Sequence, residues 1–402
     1  MKRALKYCIA FLASIGLVAC LATTVGEIEG VKQQDIEKSE DSKAPPSFAD
    51  MVNINTPLGY VEGSNASLPY PVRINEELAK KLNNFSEGRN DYSLIVWHKG
   101  KIIYENYPGP YSLNTRAESA SMHKSVLALA VGAAIDGGYI EGVDAEVGQY
   151  IPQWADDARG KITVKDFLEM SSGLSPLSVE GGEDSDAARF WRGGSSARQL
   201  LLGMKLKEEL RSVFHYKNSD SQALGLIIEN ATGEAYDSFL SRTIWKRIGA
   251  KNAKVWYNEE TGFPKTYSSL YATPRDWLRV GLLVKDMGRF AGNQIIAKSF
   301  ITEMTSESRA NENYGWQIWL GTKYSPKRYY NAAKVGLSVN AAEPFAVKDL
   351  MFFDGFGGQR VYISRSEDLV IIRTGDVDMS WDDSVLPNLV INHLNVSESA
   401  MK

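Results

Sequence analysis

Residues 121–136 read SMHKSVLALAVGAAID and constrain the fold more than any other stretch. Alanine, leucine and valine crowd every side of the run, which predicts a helix buried on most of its surface. Gly137-Gly138 stops it. Such a helix needs other elements packed around it. A chain of 402 residues, 44% hydrophobic and 23% charged, is long enough to supply them as one large domain or two smaller ones.

The N-terminus reads as an export signal. Lys2, Arg3 and Lys6 precede YCIAFLASIGLVAC, an apolar stretch too short to span a bilayer as a stable helix. It closes on Leu17-Val18-Ala19-Cys20, which resembles a bacterial lipobox. That resemblance implies a signal peptide over 1–19 and a lipidated Cys20, hence a periplasmic lipoprotein anchored at the outer membrane. An ordinary signal peptide cut near Ala22 would instead discard Cys20. Residues 20–56, polar and carrying Pro45-Pro46, read as a flexible tether. The two cysteines of the chain, Cys8 and Cys20, both fall in the leader. The rest offers no disulfide, thiol nucleophile or thiolate metal site. A net charge of −4 does not point to nucleic acid or to an anionic membrane surface.

Beyond the tether, SLIVWHKGKIIYENY at 93–107 predicts a hairpin turning at Lys99-Gly100. Residues 163–170 predict a short helix capped by Thr163. Helices are expected over 196–204, 219–231, 236–248, 274–288 (with Pro274 in the first turn) and 383–394. Residues 174–195, rich in Gly, Ser, Asp and Glu, read as a long loop holding Phe190 and Trp191. Strands follow at 359–364 and 368–373. The fold class is α+β or mixed α/β, with the sheet built from both chain ends.

Three patterns carry chemistry. In the first, Ser121 and Lys124 stand three apart at a helix start, so hydroxyl and amine share a face. A serine alcohol attacks only once something takes its proton. A buried lysine does this when desolvation lowers its pKa. In the second, Tyr216-Lys217-Asn218 precede a helix. Tyr216 suits a phenolate base or a proton relay, and Asn218 can hydrogen-bond Lys124 or a substrate carbonyl. Taken alone, the pattern reads rather as a core aromatic at Tyr216 and an N-cap or turn residue at Asn218. In the third, Asp354-Gly355-Phe356-Gly357-Gly358-Gln359 enters a strand, where glycines let a substrate approach and a strand-edge N–H can hold an oxyanion. His123 and His215 flank the first two patterns, but His123 faces away from Ser121 on a helix, and both read as packed or exposed neighbours. Trp191, Tyr314, Trp316 and Trp319 are candidates for the cleft wall, with core packing the expected role of at least half. No HExxH, P-loop or dinucleotide fingerprint appears, so neither metal nor cofactor is implied.

Together and in this order, the patterns resemble the serine β-lactamase and penicillin-binding-protein superfamily, in its class C-like branch. That branch also holds esterases, D-amino-peptidases and 6-aminohexanoate-dimer hydrolases. ESASMHKSVLALAVGAAIDGGYI, ITVKDFLEMSSGL, FHYKNSDSQALGLIIENATG and GFGGQRVYISRSEDLVIIRTG carry the likeness, which spans 92–395. It implies a domain over 57–402: an antiparallel sheet flanked by helices, from about 57–135 and 255–402, and an all-helical part at about 136–254. The site would lie in the cleft between them. Ser121 matches the nucleophile, Lys124 its partner, and Tyr216 and Asn218 the Tyr-x-Asn element. The Lys-Thr-Gly element falls on Phe356-Gly357-Gly358, with the N–H of Gln359 completing the oxyanion hole. An aromatic thus stands where the family places a cation for a substrate carboxylate. The implied activity is hydrolysis of a small-molecule amide or ester, uncharged or with its charge presented differently, through an acyl-enzyme on Ser121. A true β-lactamase or peptidase, and a non-hydrolytic envelope binder, are the alternatives.

Overall fold

The computed structural model describes residues 58–192, 195–257 and 263–400. The expected signal peptide, Cys20 and the tether lie outside the described residues. The hairpin read at 93–107 is formed by Asp91–His98 and Lys101–Asn106. Lys99 and Gly100 both take positive φ between the strands, a twist that matches that of the paired strands.

This hairpin ends a six-stranded antiparallel sheet. Its order is Trp319–Leu320, Met351–Gly355, Gln359–Ser364, Leu369–Gly375, Asp91–His98, Lys101–Asn106. Both chain ends therefore build one sheet, as expected. Side chains alternate between two cores. Ile95, Trp97, Val361, Ile363, Val370 and Ile372 face one; Leu94, Val96, Tyr362 and Ile371 face the other. The helix Pro274–Lys285 covers the first face, started by Pro274 and a Thr273–Asp276 capping box. It comes close because Gly281 has no side chain: an added Cβ would lie 2.7 Å from Val370 Cγ1. The helices Glu76–Ser86 and Val385–Ala400 cover the second face through Leu78, Leu82, Leu386, Val390 and Ile391.

The middle of the chain is mostly helical. His123–Asp136 is buried from His123 to Ala134, as its all-round apolar pattern requires. Asn218–Thr232 packs beside it. Val164–Leu168 starts at Thr163, which closes a capping box with Asp166. Tyr236–Leu240 runs on into a π turn at Ser241–Trp245.

The structure corrects three expectations. The middle is not wholly helical: the buried strand Ser172–Leu174 pairs with Leu206–Arg211, a short, charged, largely exposed strand with no clear alternation to announce it. Residues 174–195 are not one loop, since Asp186–Arg192 is a helix that carries Phe190 and Trp191. A second sheet, ordered Leu58–Val61, Ala253–Trp256, Leu270–Ala272, Ala117–Glu118, gathers four short strands from distant parts of the chain. Its last strand leads directly into Ser121.

Candidate active site

Ser121 sits in a 3₁₀ turn, Ala120–Met122, that feeds the helix starting at His123. Ala120 has φ +46, a left-handed conformation that costs an L-residue about 1–2 kcal/mol. Neighbours enforce it. Glu118 Oε2 accepts the Ala120 N–H at 2.6 Å, and Ser119 Oγ donates to the Ala120 carbonyl at 2.9 Å while accepting the Leu270 N–H at 3.1 Å.

Three positions on, Lys124 is 1% exposed. Its Nζ lies 3.0 Å from Ser121 Oγ, 2.9 Å from Asn218 Oδ1 and 2.7 Å from the Tyr267 carbonyl. Burial drives its pKa well below the ordinary lysine value. Asp354 and Glu118 oppose this and Lys265 reinforces it. A neutral amine has two N–H bonds and one lone pair. Asn218 Oδ1 and the Tyr267 carbonyl are pure acceptors and take the two hydrogens. The lone pair is left facing the Ser121 hydroxyl, which is how a general base must stand.

Tyr216 closes the group. Lys124 Nζ lies 4.9 Å from its ring centroid, and a hydrogen bond from Ser121 favours its ionised form. Burial outweighs this, and Asp354 adds to burial, so its pKa stands well above the usual 10.0. The raised pKa favours the protonated phenol, the form that a proton relay uses. The ring is wedged among Trp319, Tyr330 and Tyr314, with centroids at 5.9, 5.1 and 6.1 Å. Asn218 opens the helix Asn218–Thr232. Between the two, Lys217 turns inward to Ser172 Oγ at 3.1 Å, the Leu174 carbonyl at 2.9 Å and Asp220 at 3.4 Å. Ser121, Lys124, Tyr216 and Asn218 thus meet in one place.

The remaining candidates go elsewhere. His123 is buried between the Ser268 carbonyl and the Tyr236 hydroxyl, at 2.8 and 3.0 Å, and burial lowers its pKa to about 4. It is a neutral structural link. His215 hydrogen-bonds through its backbone to Met170. Tyr314 and Trp319 line the Tyr216 nest, Trp316 packs on Phe300 in the core, and Trp191 reaches a pocket described below.

The glycine stretch at 355–358 forms a tight turn between two strands. Gly357 and Gly358 take φ +73 and +88, and a Cβ on them would strike Val377 at 2.6 Å and Trp381 at 2.6 Å. They serve the hairpin turn and its packing on those residues. Gln359 is paired opposite Gly355, and its side chain exchanges hydrogen bonds with the Gly375 backbone at 2.7 and 3.0 Å. The part of this hairpin that abuts the Ser121 turn lies earlier: a Cβ on Gly355 would sit 2.5 Å from the Ser119 carbonyl. Phe356 is buried.

Several contributors have no sequence signature. Glu118, Tyr267 and Lys265 act on Lys124 from outside the three patterns. Asp354 is fixed behind Tyr216 by Arg328 at 3.1 Å, Arg360 at 2.7 Å and Tyr330 at 2.7 Å, and both arginines also bind Asp383 at 2.8 Å. Beside Asn218, Pro176, Leu177, Ala187, Phe190 and Trp191 line a small pocket. Its one lysine, Lys217, points its charge inward. Among the described residues no group of three or more His, Cys, Asp and Glu side chains is placed to hold a metal ion.

Known proteins resemble this chain in sequence and in fold. The 6-aminohexanoate-dimer hydrolase of Paenarthrobacter ureafaciens is 24% identical over 223 residues, 52% of this chain and 55% of that protein. Protein flp of Staphylococcus aureus (strain COL) is 29% identical over 168 residues, 39% of this chain and 33% of that protein. The chain therefore spans about half, or less, of the length of these curated relatives. Among solved structures, a putative 6-aminohexanoate-dimer hydrolase from Bacillus anthracis superposes with a TM-score of 0.70 at 18% identity, over 89% of this chain and 93% of that one. A putative beta-lactamase from Bacteroides dorei superposes with a TM-score of 0.63 at 18% identity, over 79% and 98%. At that identity these two establish the fold. The beta-lactamase family model matches residues 77–374, and the chain belongs to the beta-lactamase family.

Proposed function

We propose that this protein is a serine hydrolase that cleaves an uncharged amide or ester through an acyl-enzyme on Ser121. The observation that carries the reading is the Lys124 amine, whose two hydrogens are occupied by Asn218 and Tyr267 while its third direction meets Ser121 Oγ at 3.0 Å. Lys124 takes the hydroxyl proton as Ser121 Oγ bonds to the substrate carbonyl carbon. The oxyanion is held by the Ser121 N–H and by the Gly355–Phe356 peptide, the hairpin end against Ser119. Tyr216 gives its phenolic proton to the departing nitrogen or oxygen and is reprotonated from Lys124. Water then releases the acid by the same steps in reverse roles.

The small pocket beside Asn218 bears on substrate charge. No lining side chain there presents a cation outward, because Lys217 is tied to Ser172, Leu174 and Asp220. This supports neutral substrates over the carboxylate-bearing ones of β-lactamases and peptidases. We further propose that the mature protein is a periplasmic lipoprotein held by Cys20. Labelling by a fluorophosphonate followed by peptide mass spectrometry tests the mechanism. The label is expected on Ser121, and turnover of chromogenic esters is expected to vanish in Ser121→Ala. Label on another residue would falsify the assignment, and efficient nitrocefin hydrolysis would return the β-lactamase reading.

A further inference from the structure

Lys265 is 5% exposed, yet it belongs to none of the elements that hold Ser121. Its ammonium lies 4.0 Å from the Trp191 ring centroid and 5.4 Å from those of Trp256 and Tyr267. Three aromatic faces of this kind stabilise a cation where water cannot reach it. The Tyr267 ring is shared: Lys124 Nζ stands 5.6 Å from the same centroid. Both lysines are buried and their amines are no more than about 11 Å apart, a distance over which like charges in a protein interior still repel measurably. Glu118, also buried, interacts electrostatically with both lysines.

We propose that Lys265 is a positioning residue whose caged charge keeps Lys124 a neutral amine, with Glu118 as the counter-charge that limits the effect. The idea rests on Lys124 being the base that serves Ser121. The other groups that act on Lys124 are Asp354, which favours its protonation, and the neutral Tyr216, His123 and Tyr267 around it. Burial is the main cause of the lowered Lys124 pKa, and the cage adds to it against the pull of Asp354 and Glu118.

The signs of the two substitutions are opposite. Lys265→Met removes the repelling charge, so Lys124 holds its proton to higher pH and the acidic limb of kcat/KM moves up, by about one unit. Glu118→Gln keeps the acceptor for the Ala120 N–H but removes the counter-charge, so the limb moves down. Lys265→Arg restores the charge and should return the limb towards its original place. A pH–rate profile of each full-length variant on a neutral chromogenic ester, with fluorophosphonate labelling of Ser121 alongside, reads this out. Opposite shifts with rescue by arginine support the proposal. An unmoved limb, or a uniform loss at every pH in both variants, overturns it. If Ser121 in the unaltered protein takes no label, the hydrolase reading itself has failed, which is a separate result.

Discussion

Asn218 Oδ1 meets Lys124 Nζ at 2.9 Å across 94 residues of sequence, and this contact joins the two helices on which the site is built. It also sets the charge at the amine. A neutral amide oxygen accepts an N–H without drawing a proton onto the nitrogen. Asn218→Asp would place a carboxylate there and raise the Lys124 pKa, so more of the enzyme carries a protonated, inert lysine. The unaltered enzyme is expected to gain kcat/KM as pH rises through the lowered Lys124 pKa and to lose it only where Tyr216 ionises, above its ordinary 10.0. In Asn218→Asp the rising limb should sit at higher pH. A profile that keeps its place in this variant would argue that Lys124 does not carry the limb.

Tyr216 serves both chemistry and packing, and two substitutions separate them. Tyr216→Phe keeps the ring against Trp319 and Tyr330 but removes the proton donor. It should lower kcat about 10²- to 10⁴-fold while the melting temperature stays nearly constant. Tyr216→Ala empties the nest and should add a stability loss of about 3–5 kcal/mol. Unimpaired turnover by the phenylalanine variant would remove Tyr216 from the reaction.

The Gly357-Gly358 turn is expected to matter for folding first. Gly358→Ala combines φ +88 with a Cβ 2.6 Å from the Trp381 ring and should destabilise by about 2–4 kcal/mol in denaturant unfolding. Gly233→Ala is the control. Its φ is +66 with open space around it, and a loss nearer to about 1 kcal/mol is expected. Equal losses at both positions would show that the Trp381 contact has no weight.

Glu229 gives the fold a pH dependence of its own. Its carboxyl accepts the Tyr236 N–H at 3.1 Å, and burial pushes its pKa up to about 7 from the ordinary 4.5. A raised pKa means that the folded state binds the proton more tightly than the unfolded chain does. Its contribution is complete below 4.5 and is lost as pH rises through about 7. The loss amounts to about 3 kcal/mol. Glu229→Gln keeps the acceptor and should flatten that slope in urea titrations on either side of the window. A slope unchanged by the substitution would place the titration elsewhere.

What could be read from the sequence was local. Ser121 and Lys124 are one helical turn apart, and Tyr216 and Asn218 flank one residue, so spacing alone put each pair on one side. Thr163 and Pro274 announced their helices in the same way. Lys265, Glu118 and Tyr267 act on Lys124 from positions whose separation follows no period. The same holds for Arg328 and Arg360 with Asp354 and Asp383. The glycine turn is opaque for a related reason. Its residues are plain, but which of them abuts the nucleophile depends on how the hairpin end lies against Ser119, and only packing decides that.

The wall beside Asn218 comes from the stretch that ends in the helix Asp186–Arg192, whereas every hydrogen bond made by Lys124 comes from outside it. Divergence among descendants of this chain is thereby channelled. If the small pocket beside Asn218 receives part of the substrate, exchanges at Pro176, Leu177 or Ala187 change what fits there without touching a hydrogen bond of Lys124. Trp191 both lines that pocket and lies against the caged Lys265, so drift there would alter preference and working pH at once.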